Sequence, residues 1–180
     1  LFKARKYRDA LKTYNSINSK NLSKNEQDEA KFKKAYCYYQ TQEIAKATST
    51  FEELSETENQ YRNDARYYYA HILYVNGKQD ESLKHFNILK ETSKYKDIAN
   101  IYILQINFNK GNHETVIQNG DNVLQKAHKN RKSDIALMIA EAWLQQGDYS
   151  KSLEFYNIAL KNSRRKLARE TEFNIGFCKM

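Results

Sequence analysis

Proline is absent from all 180 residues, where an average chain would carry about 5%. That absence excludes an all-β protein built on Pro/Gly turns and suits a chain that is nearly all helix, the element whose interior proline breaks. Glycine is scarce as well. The five glycines, Gly77, Gly111, Gly120, Gly147 and Gly176, stand apart from one another, so no phosphate-cradling loop or dinucleotide fingerprint is present. Two cysteines, Cys37 and Cys178, lie near opposite ends, which excludes a disulfide-stapled scaffold. The longest apolar run, residues 135–140, falls far short of the ~18 residues that cross a bilayer. None of the histidines His71, His85, His113 and His128 has a His or Cys partner at metal-ligand spacing. No Gly-x-Ser-x-Gly elbow occurs. These absences leave no catalytic, metal or cofactor residues to assign, and no enzyme is expected.

Charge is present in excess of one sign. Thirty Lys and Arg face 22 Asp and Glu, a formal +8 with a pI near 9.3. A basic chain can bind nucleic acid or another anionic surface. The sequence is also rich in Asn, Lys, Tyr and Ile, a bias that genome base composition produces by itself, so the charge matters only where it gathers on one face. Cys37, among tyrosines on a helix, reads as a half-buried structural thiol.

What the sequence does contain is a repeat, the feature to seek before any other. Large aromatics fall at Tyr14, Phe51, Phe86 and Tyr156, with intervals 51−14 = 37, 86−51 = 35 and 156−86 = 70, or twice 35. Ile17, Leu54, Leu89, Val123 and Ala159 form a second series in phase with it, and Ala10, Ala47, Ser82, Val116 and Ser152 a third. Ala35, Ala70, Leu104, Ala140 and Gly176 make a fourth, and Gly77, Gly111 and Gly147 mark a turn in each of three units. Within a unit the apolar residues recur at helical spacing: Ile135, Ile139, Ala142 and Trp143 on one helix, and Leu153, Tyr156, Ala159 and Leu160 on the next. Gly147-Asp148 breaks the pattern between them, where one helix ends and the next is capped. Each unit is therefore a pair of antiparallel helices that cannot bury its own apolar face, so the units stack.

The segment from Gly147-Asp148-Tyr149 through Tyr156, Ala159 and Leu160 resembles the second half of a tetratricopeptide repeat (TPR), and Ala140 and Trp143 resemble the small and aromatic residues of its first helix. Residues 76–89 and 35–54 repeat the pattern. The Tyr-rich, proline-poor style is similar to that of the long TPR proteins of Bacteroidetes. The resemblance implies an all-α fold, an α-solenoid wound as a right-handed superhelix of stacked antiparallel helix pairs. It places a partial first repeat at 1–20, repeats at about 25–57, 60–92, 94–129 and 132–163, and a partial last repeat at 166–180. A chain that starts and stops in mid-repeat is expected to be a fragment of a longer array, cytoplasmic or periplasmic. Two departures stand out. The proline that usually closes each TPR is missing throughout, and Gly120 replaces the aromatic of its unit, which predicts a kinked or loosely packed helix there.

In TPR arrays the first helices line a concave groove. Carried over, the groove positions are Phe32, Tyr36 and Tyr39; Tyr67, His71 and Tyr74; Ile101, Gln105 and Phe108; and Leu137, Glu141 and Leu144. This aromatic, weakly polar set suits a protein or peptide partner. The TPR type that grips a C-terminal carboxylate needs converging Lys and Asn, and most matching positions here hold Tyr, His, Gln or Glu. The expected function is therefore a non-catalytic interaction scaffold. Two alternatives stay open: an anionic partner such as nucleic acid, or a structural subunit assembling through its ends. The first would use two basic groups at connections between repeats, Lys126, Lys129, Arg131 and Lys132, and Lys161 with Arg164, Arg165, Lys166 and Arg169. The plainer reading of those groups is that cations at helix C-termini complement the macrodipole and keep the surface soluble. No base-reading pairs like those of helical RNA-binding repeats are present, which argues against nucleic acid.

Overall fold

A computed structural model describes residues 6–17, 21–162 and 165–178, with the side chains of 165–170 and 172 outside that description. The chain divides into two compact units, Leu1–Leu89 and Lys90–Met180. Unit 1 holds α1 (Tyr7–Ser16), α2 (Lys24–Gln40), α3 (Ile44–Glu56), α4 (Arg62–Val75) and α5 (Gln79–Leu89). Unit 2 holds α6 (Lys96–Asn109), α7 (His113–Lys126), α8 (Lys129–Gln145), α9 (Tyr149–Asn162) and α10 (Arg165–Cys178). Consecutive helices pack on one another within each unit, and no strand occurs among the described residues. The fold is all-α, built of stacked helix hairpins.

Four hairpins, α2–α3, α4–α5, α6–α7 and α8–α9, close with the same turn. Glu43, Lys78, Asn112 and Asp148 each donate their backbone N–H to the carbonyl five residues back, on Tyr38, Leu73, Asn107 and Trp143, at 2.9 to 3.1 Å. The preceding residue bonds three residues back: Gln42 to Tyr39, Gly77 to Tyr74, Gly111 to Phe108 and Gly147 to Leu144. This is the Schellman closure, which satisfies carbonyls that a helix end leaves open and requires a left-handed residue. Gly77, Gly111 and Gly147 sit at φ 77°, 73° and 78°. Gln42 adopts φ 66° in the same place, the one non-glycine residue with positive φ among those described. A side chain in that region costs about 1–2 kcal/mol, and glycine gives part of the gain back through its freer unfolded chain. Gln42→Gly is therefore expected to stabilise the protein by roughly 0.5–1 kcal/mol, read as a thermal midpoint higher by about 1–4 °C. A lower midpoint would contradict the assignment.

Helix starts are also legible in chemistry. Ser23 and Glu26 form a capping box on α2, with Ser23 donating its N–H to Glu26 Oε2 at 2.9 Å while its Oγ accepts from the Glu26 N–H. At α9, Asp148 accepts the Lys151 N–H at 2.9 Å.

Small residues let the paired helices approach. Ala35 and Ala47, Ala70 and Ser82, and Ala140 and Ser152 are all fully buried. The two serines use that closeness, Ser82 Oγ donating to the Ala70 carbonyl at 2.8 Å and Ser152 Oγ to the Ala140 carbonyl at 2.9 Å. Unit 1 is centred on Phe51, Leu54, Tyr69, Ile72 and Leu73, with Cys37 sealed beside Ala10 and Leu11. Cys37 is fully buried rather than half-buried, because α1 covers the face of α2 that carries it. Unit 2 is centred on Ile135, Ile139, Phe155 and Tyr156, with Trp143 partly buried against them.

Gly120 corrects the sequence expectation. Helix α7 runs through it without interruption, and the residue is buried. A Cβ placed there would lie 2.6 Å from Ile139 Cγ1 and 2.8 Å from Ile139 Cδ1. The space that Phe51, Phe86 and Tyr156 fill from their own helices is here filled from α8 by Ile139. The glycine marks a close approach of two helices, not a gap.

Candidate functional site

The groove positions of unit 1 come together as one aromatic face. Phe32, Tyr36 and Tyr39 lie on successive turns of α2, and Tyr67, His71 and Tyr74 on successive turns of α4; all six are half-buried. Packed against them is Tyr68, which is not among the groove positions that the sequence names. Its ring stacks on Phe51 with centroids 5.1 Å apart and meets Tyr36 at 5.4 Å, Tyr39 at 5.6 Å, Tyr67 at 5.3 Å and Phe32 at 6.1 Å. Phe32 in turn stacks on Tyr61 at 4.9 Å, and Tyr7 of α1 meets the Tyr36 ring edge-on at 5.8 Å. Such offset and edge-to-face pairs add about 0.5–1.5 kcal/mol each beyond burial. The face is thereby held rigid from below.

Tyr39 Oη and His71 Nδ1 lie 3.1 Å apart and hydrogen bond across α2 and α4. Burial lowers the His71 pKa and so favours the neutral imidazole. Burial, with Tyr67 and Tyr36 nearby, pushes the Tyr39 hydroxyl up, so the phenol stays protonated. Beside the pair opens a cavity of about 280 Å³, lined by Tyr39, Gln40, Gln42, Ile44, His71, Ile72, Val75 and Asn76. No charged residue lines it. Its wall includes Val75, 66% exposed, a large apolar side chain left facing water.

A polar cluster in the same unit ties α3, α4 and α5 together. Arg66, 5% exposed, donates from Nη2 to the Ser55 carbonyl at 2.6 Å. Tyr69 donates to Glu52 Oε1 at 2.8 Å, and burial together with that bond pushes its hydroxyl up to about 12. His85 meets the Tyr69 ring edge-on at 4.9 Å, and burial and the Arg66 charge lower its pKa. Each polar contact links two helices, which is a structural task.

In unit 2 the corresponding positions separate. Ile101 is 9% exposed and packs with the core, where an aliphatic chain with no polar tip is absorbed. Phe108 packs partly on the same core, edge-on to His113 at 6.2 Å. Gln105, Leu137 and Leu144 are half-buried. Glu141 is held in place: its Oε1 accepts from the hydroxyl of the fully buried Tyr156 at 2.5 Å and from Asn174 Nδ2 at 3.1 Å. Burial, first, and this carboxylate push the Tyr156 hydroxyl pKa up.

The basic positions sit at the α7–α8 connection. Lys126 ends α7, whereas Lys129, Arg131 and Lys132 occupy the first turn of α8. Lys126 complements the C-terminus of α7, as Lys161 in the last turn of α9 does for its own helix. Lys129, Arg131 and Lys132 stand at the positive end of the α8 macrodipole, so complementing a helix C-terminus does not account for them. Arg164 and the side chains of Arg165, Lys166 and Arg169 lie outside the described residues. Among the described residues no helix is long and apolar enough to cross a membrane, and no group of three or more His, Cys, Asp or Glu is placed to hold a metal ion.

Comparison with known proteins agrees with this architecture. Residues 29–57, spanning most of α2 and all of α3, match the tetratricopeptide repeat family. The chain superposes on the crystal structure of YrrB, described as a TPR protein with an unusual peptide-binding site, with a TM-score of 0.73 and 15% identity over 95% of this chain and 86% of that one. It superposes on the C-terminal part of a TPR repeat-containing protein from Cytophaga hutchinsonii with a TM-score of 0.70 and 16% identity over 99% of this chain and 76% of the other. No curated protein sequence matches significantly.

Proposed function

We propose that this tetratricopeptide-repeat chain is a non-catalytic scaffold that binds a protein segment or peptide on the aromatic face of α2 and α4. The observation that carries the reading is the platform of Tyr36, Tyr39, Tyr67 and His71 over Tyr68. Tyrosines fixed in place have little rotamer freedom left to lose, offer broad contact area and keep a polar tip, the properties that recur in binding hot spots. The adjoining cavity gives one apolar side chain of the segment a place to enter. The peptide-binding site reported for YrrB supports the class of partner.

A random peptide library displayed on phage and selected against the chain tests this. Binders should lose at least tenfold in affinity on Tyr36→Ser/Tyr67→Ser, with the melting curve checked for folding, and should change by only about threefold between low and moderate salt. Loss of about a thousandfold over that range, the mark of many released counterions, with unchanged binding to the Tyr variant, would move the function to the basic positions at the α7–α8 connection.

A further inference from the structure

We propose that Gln42 is a specificity residue of the peptide site, its side-chain amide pairing with the main chain of the residue whose uncharged side chain enters the cavity beside Tyr39 and His71; this rests on the scaffold reading and deepens it. Glycine holds the left-handed place in the other three hairpin turns. A Cβ added at Gly77 or Gly147 would meet nothing within 4 Å, so room for a side chain is not what selects glycine there. The positive φ is. Gln42 takes the same conformation at φ 66° and alone of the four carries a side chain, which lines the cavity. Backbone strain kept at one turn, where three equivalent turns avoid it, is the pattern of a residue held for function.

The chemistry around Gln42 says what it would hold. Ile44, Ile72 and Val75 give the cavity apolar walls, and with no charged residue in its lining a charged side chain would enter without a counter-ion. Gln40, Gln42 and Asn76 are exposed and bring three carboxamides to the place where the cavity meets water. Elsewhere Asn87, Asn107, Asn119, Asn157 and Asn162 each donate the side-chain amide to the carbonyl four residues back in their own helix. The side chains of Gln40, Gln42 and Asn76 make no hydrogen bond to another described residue. A carboxamide has an acceptor oxygen and a donor nitrogen, which match the N–H and C=O of a peptide main chain. In an extended segment the N–H and C=O of one residue point the same way. Gln42 Oε1 would accept from that N–H and Nε2 would donate to that C=O, while the apolar side chain fills the cavity.

The test uses the same displayed peptide library on the whole chain. Peptides enriched on the wild type are expected to carry an uncharged apolar residue at one recurrent position. Gln42→Gly should raise the thermal midpoint by about 1–4 °C and yet weaken a synthesised binder about fivefold, a combination that loss of folding does not produce. Replacing each main-chain amide of the binder in turn by an ester removes one N–H at a time. The ester at the recurrent residue should cost about fivefold on the wild type and nothing further on Gln42→Gly. Equal affinity for wild type and Gln42→Gly, a lower midpoint, ester costs that are the same on both chains, or a recurrent Asp, Glu, Lys or Arg would each overturn the assignment. The aromatic platform would still stand in those cases if the binder is lost on Tyr36→Ser/Tyr67→Ser. Failure to enrich any peptide would overturn both.

Discussion

Replacing Phe51 by alanine is expected to remove about 3–5 kcal/mol of stability. The side chain is fully buried, with its ring stacked 5.1 Å from Tyr68 and tilted 5.8 Å from Phe32. Truncation costs the transfer free energy of the ring and leaves a cavity that the surrounding alanines, Ala35 and Ala47, cannot fill. A folded domain has only about 5–15 kcal/mol in hand, so much of the margin would go. Binding should suffer in step, because Tyr68 rests on Phe51 and Tyr36, Tyr39 and Tyr67 rest on Tyr68. Urea unfolding followed by circular dichroism measures the loss. Phe51→Leu, which keeps much of the volume, should recover most of it. A loss below about 1 kcal/mol for alanine would mean that the site collapses freely and that the face is not built on this ring.

The second large effect runs against the usual rule. Gly→Ala inside a helix ordinarily gains about 1 kcal/mol. At Gly120 the new methyl would meet Ile139 Cγ1 at 2.6 Å and Cδ1 at 2.8 Å, and Ile139 is itself 1% exposed with a stiff, branched side chain. Overpacking of this kind costs about 1–3 kcal/mol. Gly120→Ala is accordingly expected to destabilise the protein by about 1–2 kcal/mol net. Ile139→Ala alone should cost about 2–5 kcal/mol. In the double variant the added methyl finds the space that the isoleucine vacated, and only Cβ of the old side chain remains near, at 3.7 Å. The two changes should then couple favourably by at least about 1 kcal/mol in a double-mutant cycle. A stabilising Gly120→Ala, or strict additivity, would show that α7 and α8 are not in that close contact.

How much of this could be read beforehand depends on the range of the signal. The hairpins were legible because a period near 35 residues repeats each small, aromatic and turn position in phase, and three of the four turns announce themselves with glycine. Gln42 hid the fourth: its φ of 66° is imposed by the same hydrogen bonds, which its residue type does not advertise. Tyr68 follows Tyr67 directly, and the groove pattern names only the first of the two. Its series, Tyr68, Tyr102 and Met138, with intervals of 34 and 36, runs through buried or half-buried residues and was the available signal. Gly120 was misread for a different reason. Sequence shows what a position lacks, whereas the filling came from Ile139 across a helix interface. The two hydrogen bonds to Glu141 were out of reach in the same way, since their donors stand 15 and 33 residues further along the chain.

The uneven placement of aromatic residues gives the molecule two optical channels. The single tryptophan, Trp143, packs on the core of unit 2, so its emission follows that unit alone. Of the 14 tyrosines, ten precede residue 90 and four follow it, so the near-ultraviolet tyrosine band is weighted toward unit 1 and its crowded rings. Unfolding traces recorded at the two wavelengths, without any attached dye, will coincide if both halves melt as one cooperative body and part company if each melts by itself.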